Sequence, residues 1–263
     1  MVANSLHWRV VLVRPRNPLN IGAAARAMAN FGLGDLVVVK PYAPVWRETR
    51  SAVGAEGTIG SARAVDDLSE AIADAALVVG TTAGSRRNLD RDLVPLDQFS
   101  RWLGSHTSPA GNAPKRAALL FGSEKTGLST EQMSYCHALV RIPTRADCPS
   151  MNLGQAVAVC CYELVRAGAL DADVKSQARA TVGRAPAKIH LSDPANLQSL
   201  ERVLERAARV LDNVGYLKPK SRRATLVKLR RLLLGLGLTN NDVKILGGLL
   251  AQIEWKLGNP QTP

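Results

Sequence analysis

Residues 117–129 read AALLFGSEKTGLS. Five apolar residues run into a turn bracketed by Gly122 and Gly127, with a single carboxylate, Glu124, between them. A short, uninterrupted apolar run fits a strand buried on both faces. In open α/β sheets, ligands sit in the loops beyond the carboxyl ends of such strands. Gly122 would let a ligand approach the backbone closely, and Glu124 could fix a neighbouring loop or a cation. A plain turn, with Ser129 capping the next helix, accounts for the same residues. The two glycines have P-loop spacing, but Leu128 stands where the phosphate-binding lysine must follow, so an NTPase reading fails.

The same short apolar pattern recurs at residues 10–13, 36–39, 76–80 and 138–142. Helical patterns lie between. One covers 20–31, with Asn20 as N-cap and Gly32 past its end. Others cover 68–75 and 152–166, the last apolar nearly all round and capped by Gly168. Strands alternating with helices predict an α/β fold with a mostly parallel sheet. A helix apolar on every face is either buried or part of a subunit interface. No G-x-G-x-x-G, G-x-S-x-G or H-E-x-x-H motif is present; Gly32 and Gly34 follow a helix and read as a turn.

The last third is different. Asp193 and Pro194 place a cap before a first-turn proline. Leu197, Leu200, Leu204, Ala208 and Leu211 then keep helical spacing, with Gly215 as stop. Leu226, Leu229 and Leu233 mark a second helix. Thr239 and Asp242 resemble a capping box opening a third helix through Val243, Leu246, Leu250, Ile253 and Leu257. Three such helices predict a small helical bundle. The expected division is an α/β domain over 1–170, a linker over 171–193 and a helical extension over 194–263.

Charge follows this division. The 263-residue chain has 34 Lys+Arg against 22 Asp+Glu, a net +12. Residues 1–170 hold +4 of it and the remainder +8. A basic protein suggests a polyanionic partner. The cluster Lys218, Lys220, Arg222, Arg223, Lys228, Arg230 and Arg231 is dense enough to favour a phosphate-facing surface over a merely solvated one. Aromatic residues are only 4% of the chain, so stacking platforms are scarce. No apolar run reaches the ~20 residues of a membrane span. Residues 1–8 are too polar for a signal peptide. Cys136, Cys148, Cys160 and Cys161 lack metal-ligand or disulfide spacing and read as reduced thiols in a cytoplasmic protein. Cys136 and His137 form a lone pair that reads as structural, and no metal is expected.

Two further segments follow predicted strands. Residues 14–26 read RPRNPLNIGAAAR, where Gly22 and Ala23 lie one turn before Arg26 on one helix face. Spacing does not choose between tight helix packing, with Arg26 paired to a carboxylate, and close approach of a ligand. Residues 142–154 form a loop with two prolines entering the apolar helix. There Ser150 and Asn152 could cap the helix or bond a substrate.

At these segments the chain resembles the SPOUT-class RNA 2′-O-ribose methyltransferases of the SpoU/TrmH type. N-x-G-x-x-x-R matches at Asn20, Gly22 and Arg26. F-G-x-E-x-x-G-L-S matches at 121–129. I-P followed by S-x-N-L matches at Ile142, Pro143, Ser150, Asn152 and Leu153. Three motifs in order at family spacing are highly specific. Residues 211–256, with GYLKPKSRR, KLRRLL and ILGGLLAQIE, look like the helical extension of the TrmJ subgroup, so the resemblance covers nearly the whole chain.

The resemblance implies a deep trefoil knot at the carboxyl end of the α/β domain, a rarity among proteins. It implies S-adenosylmethionine as cofactor, held by Thr81, Thr82, Ala83, Gly122, Ile142, Pro149, Ser150 and Met151. It implies a homodimer through the knot, with Arg26 facing the cofactor held by the partner. Met151 stands where Leu is common, a volume-conserving change. Residues 81–87, ending in Arg86 and Arg87, keep the polar and basic character of their counterparts, and these two arginines are expected to meet RNA. The implied substrate is tRNA, at C or U of nucleotide 32 in the anticodon loop. An rRNA or another tRNA ribose, or a non-catalytic RNA-binding relative, remain alternatives. Among the implied catalytic residues, Asn20 and Asn152 would orient loops, Glu124 would brace the knot, and Ser150 would bond substrate or Arg26. An arginine does not give up its proton in proteins, so Arg26 is expected to stabilise a forming alkoxide or position a phosphate.

Overall fold

A computed structural model describes residues 6–42, 46–83, 92–106, 115–174 and 194–259. In chain order the first part runs β1 (Leu6–Val13), α1 (Pro18–Asn30), β2 (Asp35–Val39), α2 (Glu56–Ser61), β3 (Arg63–Val65), α3 (Leu68–Ala71) and β4 (Leu77–Thr81). It continues with β5 (Leu93–Pro95), a 3-10 turn, α4 (Phe99–His106), β6 (Lys115–Phe121), α5 (Thr130–Met133), β7 (Ala138–Arg141) and α6 (Leu153–Val174). The last part is α7 (Leu197–Asn213), α8 (Arg222–Gly235) and α9 (Asn240–Gly258).

The strands form one sheet in the order β3-β2-β1-β6-β4-β7-β5, and each pair is parallel. A parallel sheet covered on both sides explains the uninterrupted apolar runs. In β1, Val10 and Leu12 face one core with α1, α4 and α6, while Val11 and Val13 face the other with α3 and α5. The expected α/β class with a mostly parallel sheet is thus observed. All strands point their carboxyl ends to one edge, where the loops after β1, β6, β4 and β7 lie side by side.

Several boundaries differ from the sequence reading. Helix α1 starts at Pro18 and is capped by Asn17, whose side chain accepts from Leu19 N at 2.9 Å. Pro18 has no N–H to satisfy and a φ preset for a first turn, so the cap belongs one residue before it; Asn20 lies inside the helix. Gly168 does not end α6, which runs on to Val174. Helix α3 stops at Ala71, not residue 75. Helix α7 is capped by Asn196, whose side chain accepts from Ser199 N at 2.9 Å; the expected cap, Asp193, lies outside the described residues. The Thr239 and Asp242 capping box is formed as read, and Ser129 caps α5 in a second box with Gln132.

The C-terminal helices sit on the sheet. Ala195, Leu197, Leu200 and Leu234 join the core beneath β1, β2, β4 and β6. The N–H groups of Leu197 and Gln198 bond Ala75 O and Ala73 O at 3.3 and 2.9 Å. Helix α7 packs against both α8 and α9; α9 has no buried residue, and Ile245, Leu249 and Ile253 are exposed along it.

At the amino end of the strands, Arg9 is buried and unanticipated. Its guanidinium bonds Asp35 at 2.9 Å, Asp74 at 2.7 Å and Ala71 O at 2.9 Å, and Arg116 also reaches Asp74. Burial works against the charged forms, but these contacts outweigh it: Arg9 is raised and Asp74 lowered from their ordinary values. Removing one member of such a cluster strands the others. Because both carboxylates are partly exposed, Arg9→Ala should cost about 2–4 kcal/mol, read as a lower urea midpoint. Asp74 contributes its stability above the ordinary carboxylate range and loses it as pH falls through its depressed value. The gap between wild type and Arg9→Ala should therefore be constant near neutrality and narrow below about pH 4.

Candidate active site

The site starts from Glu124, in the turn after β6. Its Oε2 accepts from Arg16 N at 2.9 Å, and its Oε1 accepts from Asn17 N at 3.2 Å and from Asn20 Nδ2 at 2.9 Å. One carboxylate thus fastens the β6 loop to the loop after β1 and the first turn of α1. Burial pushes the Glu124 carboxyl up, but the bonds from Asn20 and from backbone N–H groups outweigh it and hold it below its ordinary value. Asn20 passes the connection on: its Oδ1 accepts from Asn152 Nδ2 at 2.9 Å. Asn152 Oδ1 in turn accepts from Gly154 N at 3.0 Å, closing the first turn of α6. Three of the five expected catalytic residues, Asn20, Glu124 and Asn152, therefore form one chain of hydrogen bonds that orients loops, and Asn152 caps a helix as well.

The β6 turn depends on its glycines. A methyl group on Gly122 would collide with the backbone of Gly127 and Leu128, and Gly127 takes φ 65°. The close approach foreseen at Gly122 is made by the chain's own backbone. The small residues of α1 also serve packing: Gly22 lies against the side chains of Thr49 and Ser51, and Gly154 of α6 fits against Ala23. Arg26, on the same helix, is exposed and makes no ion pair or hydrogen bond with the described residues. No carboxylate among them partners it.

Beside this network lies a cavity of about 340 Å³ at the carboxyl ends of β4, β6 and β7. Thr81, Thr82, Ala83, Gly122, Ile142, Pro149, Ser150 and Met151 all line it, so every residue assigned to a cofactor is at its wall. Glu124 lines it too, whereas Arg26, Asn20 and Asn152 do not. Leu128, Val140, Leu153 and Ala156 give it aliphatic walls; Lys125, Thr126 and Thr144 add polar groups. The sequence reading missed Thr144, although it follows the Ile142 and Pro143 motif directly. It also missed the Arg16 and Asn17 N–H donors, which leave no mark on side-chain chemistry. Thr81 Oγ1 is turned to Leu120 O at 2.9 Å and braces β4 against β6. The size is at the lower end of small-molecule sites, and apolar walls with a few polar groups suit a flat heterocycle with polar edges.

The remaining residues scatter. Arg86 and Arg87 lie outside the described residues. Lys220 and Lys228 are exposed. Arg222 pairs with Asp212 at 2.9 Å and Arg223 with Glu131, yet both stay open to solvent. Arg230 does not belong to a phosphate-facing surface: its side chain is 13% exposed, bonds Glu201 at 2.6 and 2.9 Å, and lies 4.1 Å from the centre of the Tyr135 ring. It ties α8 to α7 and to the α5 end of the α/β domain. Arg231 is half-buried. His137 Nδ1 accepts from Val78 N at 3.0 Å, a structural use. Burial pushes the Cys160 and Cys161 thiols up, which keeps them unreactive.

Comparison with known proteins adds to this geometry. The SpoU rRNA Methylase family matches residues 7–162, and the tRNA methyltransferase TrmJ C-terminal domain matches residues 198–262. A tRNA (cytidine/uridine-2'-O-)-methyltransferase TrmJ of Sodalis glossinidius (strain morsitans) is 35% identical over 256 residues, 97% of this chain and 94% of its own. A tRNA (cytidine/uridine/adenosine-2'-O-)-methyltransferase TrmJ of Pseudomonas aeruginosa (strain UCBPP-PA14) is 34% identical over 94% of this chain and 93% of its own. The crystal structure of TrmJ from Z. mobilis ZM4 superposes with a TM-score of 0.75 at 28% identity, covering 94% of this chain and 98% of that one.

The hydrogen-bond chain makes a direct prediction. Glu124→Ala frees three donors and should weaken binding of a cavity ligand about tenfold or more, with Glu124→Gln less damaging because it keeps one acceptor oxygen. Calorimetric titration with S-adenosylmethionine reads both.

Proposed function

The chain belongs to the SpoU rRNA methylase family and is an RNA methyltransferase, and from that premise we propose that it transfers a methyl group from S-adenosylmethionine to a ribose 2′-hydroxyl of tRNA. The observation that carries the reading is the cavity at the β4, β6 and β7 ends, with all eight expected cofactor residues at its wall. S-adenosylmethionine supplies a methyl already activated as a sulfonium. Aliphatic side chains such as Ile142, Leu128 and Met151 would sandwich its base, while Thr82, Thr144 and Ser150 offer polar atoms to its edges.

The 2′-hydroxyl is a weak nucleophile, so the protein must align it and stabilise the oxyanion that forms. Arg26 suits the second of these roles, being exposed, unpaired among the described residues, and forked. Ser150 at the cavity wall would bond the ribose or Arg26. Asn20, Glu124 and Asn152 hold the loops that carry these groups. The proposal includes a trefoil knot formed by the chain around β6 and β7. It also includes a homodimer through it, for which exposed Tyr162 and Val165 on α6 and Leu19 on α1 offer apolar surface. The partner's Arg26 would then face this chain's cavity. The helical extension would grip the tRNA body through Lys220, Arg222, Arg223 and Lys228, in the cytoplasm where tRNA is matured. The relatives' names, cytidine and uridine in one and adenosine besides in another, support a base preference that includes C or U; nucleotide 32 of the anticodon loop is the target this proposal assigns.

Nucleoside mass spectrometry of tRNA and rRNA from cells with and without the gene tests the reading. Loss of 2′-O-methylcytidine or 2′-O-methyluridine from tRNA is the expected result. Loss from rRNA alone would move the substrate, and no loss with tRNA binding intact would make the protein a binding relative. Arg26→Ala should abolish turnover in vitro with cofactor affinity near wild type; retained turnover removes Arg26 from catalysis. Lys228→Glu with Lys220→Glu should weaken tRNA binding and lower the slope of log affinity against log salt by about 1 for each phosphate no longer neutralised. An unchanged slope places the grip elsewhere.

A further inference from the structure

Strands β1 and β2 end side by side at the carboxyl edge, and the chain leaves both through a residue in the left-handed region. Arg14 has φ 54° and Lys40 φ 47°. Such conformations are uncommon for residues with a side chain, and they persist only where the surroundings enforce them. The enforcement is visible: Arg14 N bonds Val39 O at 2.7 Å, and Lys40 N bonds Val65 O at 2.9 Å. The result is to bring the next residues of both segments together. Tyr42 N bonds Pro15 O at 3.1 Å, and the Arg16 guanidinium carbon lies 5.3 Å from the centre of the Tyr42 ring.

Tyr42 is 74% exposed, more than any other large apolar or aromatic side chain among the described residues. It belongs to neither hydrophobic core, so core packing does not account for it. Its neighbour Arg16 is fixed through its own N–H to Glu124, the acceptor that organises the active site. Arg14 and Arg16 make no ion pair with the described residues. Pro15 and Arg16 thus link Tyr42 to the loop that carries Glu124.

We propose that Tyr42, backed by Arg16, is a stacking platform for one unpaired nucleobase of the RNA substrate, with the exposed Arg14 at the end of β1 for a phosphate. The proposal rests on the RNA-methylation reading above. A base inside a duplex has both faces covered, so only a nucleotide in a loop or single strand can use such a ring. The arginine against the ring holds it in place before RNA arrives, which lowers the ordering cost of binding. The platform recognises a flat π-face and no particular base; it would hold the strand in line with the cavity.

Steady-state methylation of an unmodified tRNA transcript tests this, together with S-adenosylmethionine titration and binding of an anticodon-loop RNA carrying 2-aminopurine. Tyr42→Ala should raise the KM for tRNA about tenfold while kcat and cofactor affinity stay near wild type. Tyr42→Leu, which keeps bulk without a flat ring, should behave like alanine, and Tyr42→Phe should restore the wild-type KM. The 2-aminopurine fluorescence should be quenched by wild type and Tyr42→Phe and recover with Tyr42→Leu. A wild-type KM in both Tyr42→Ala and Tyr42→Leu, in a protein that methylates tRNA, overturns the platform. A wild-type protein that methylates no RNA overturns the functional reading instead.

Discussion

Everything at the carboxyl edge of the sheet depends on one carboxylate accepting three hydrogen bonds from a different part of the chain. Glu124 comes from the turn after β6; its donors are Arg16 N, Asn17 N and Asn20 Nδ2, about a hundred residues earlier. Partial burial alone would favour the protonated acid. The donors reverse this, and each hydrogen bond to a charged acceptor is worth about 1.5–3 kcal/mol. The ionised form is thus the one the fold selects. Asn20 and Asn152 extend the same connection to the start of α6. Three loops that are distant in sequence become a single rigid rim.

Much of this rim was legible in the sequence, but as chemistry rather than as connections. Asn20, Glu124, Ser150 and Asn152 stand out because short polar side chains follow apolar strands at a fixed order. That Asn20 spends both ends of its amide on Glu124 and Asn152 is a matter of strand order, which periodicity does not reveal. Gly122 was legible as a close approach, but the approaching group is the backbone of Gly127 and Leu128. Strands β3 and β5 escaped because three residues carry too little pattern. The cap of α1 was misplaced because Asn17 and Asn20 are equally good caps by type; Pro18 decides between them.

The basic character of the last third divides in a way that a charge count hides. Arg230 and Glu201 are both largely buried and satisfy each other between α7 and α8, whereas Lys220 and Lys228 stay in water. Helical periodicity could not separate them, because α8 carries leucines on several faces: Leu234 is buried while Leu232 is exposed. A buried pair with good geometry is costly to break and modest in net stability. Its effect is to fix the orientation of α8 against α7 and Tyr135, and so to aim the exposed lysines relative to the sheet.

The arrangement also constrains how the reaction can be assembled. The cavity is lined by the loops after β4, β6 and β7, while Arg26 stands two turns into α1, exposed and outside the cavity wall. Glu124 touches both regions, lining the cavity and anchoring the first turn of α1, and so ties the helix that carries Arg26 to the cavity wall. Within one chain the residues proposed for the cofactor line the cavity and Arg26 does not. In the symmetric pair of chains proposed above, each copy's arginine would meet its partner's cavity without any rearrangement of the rim.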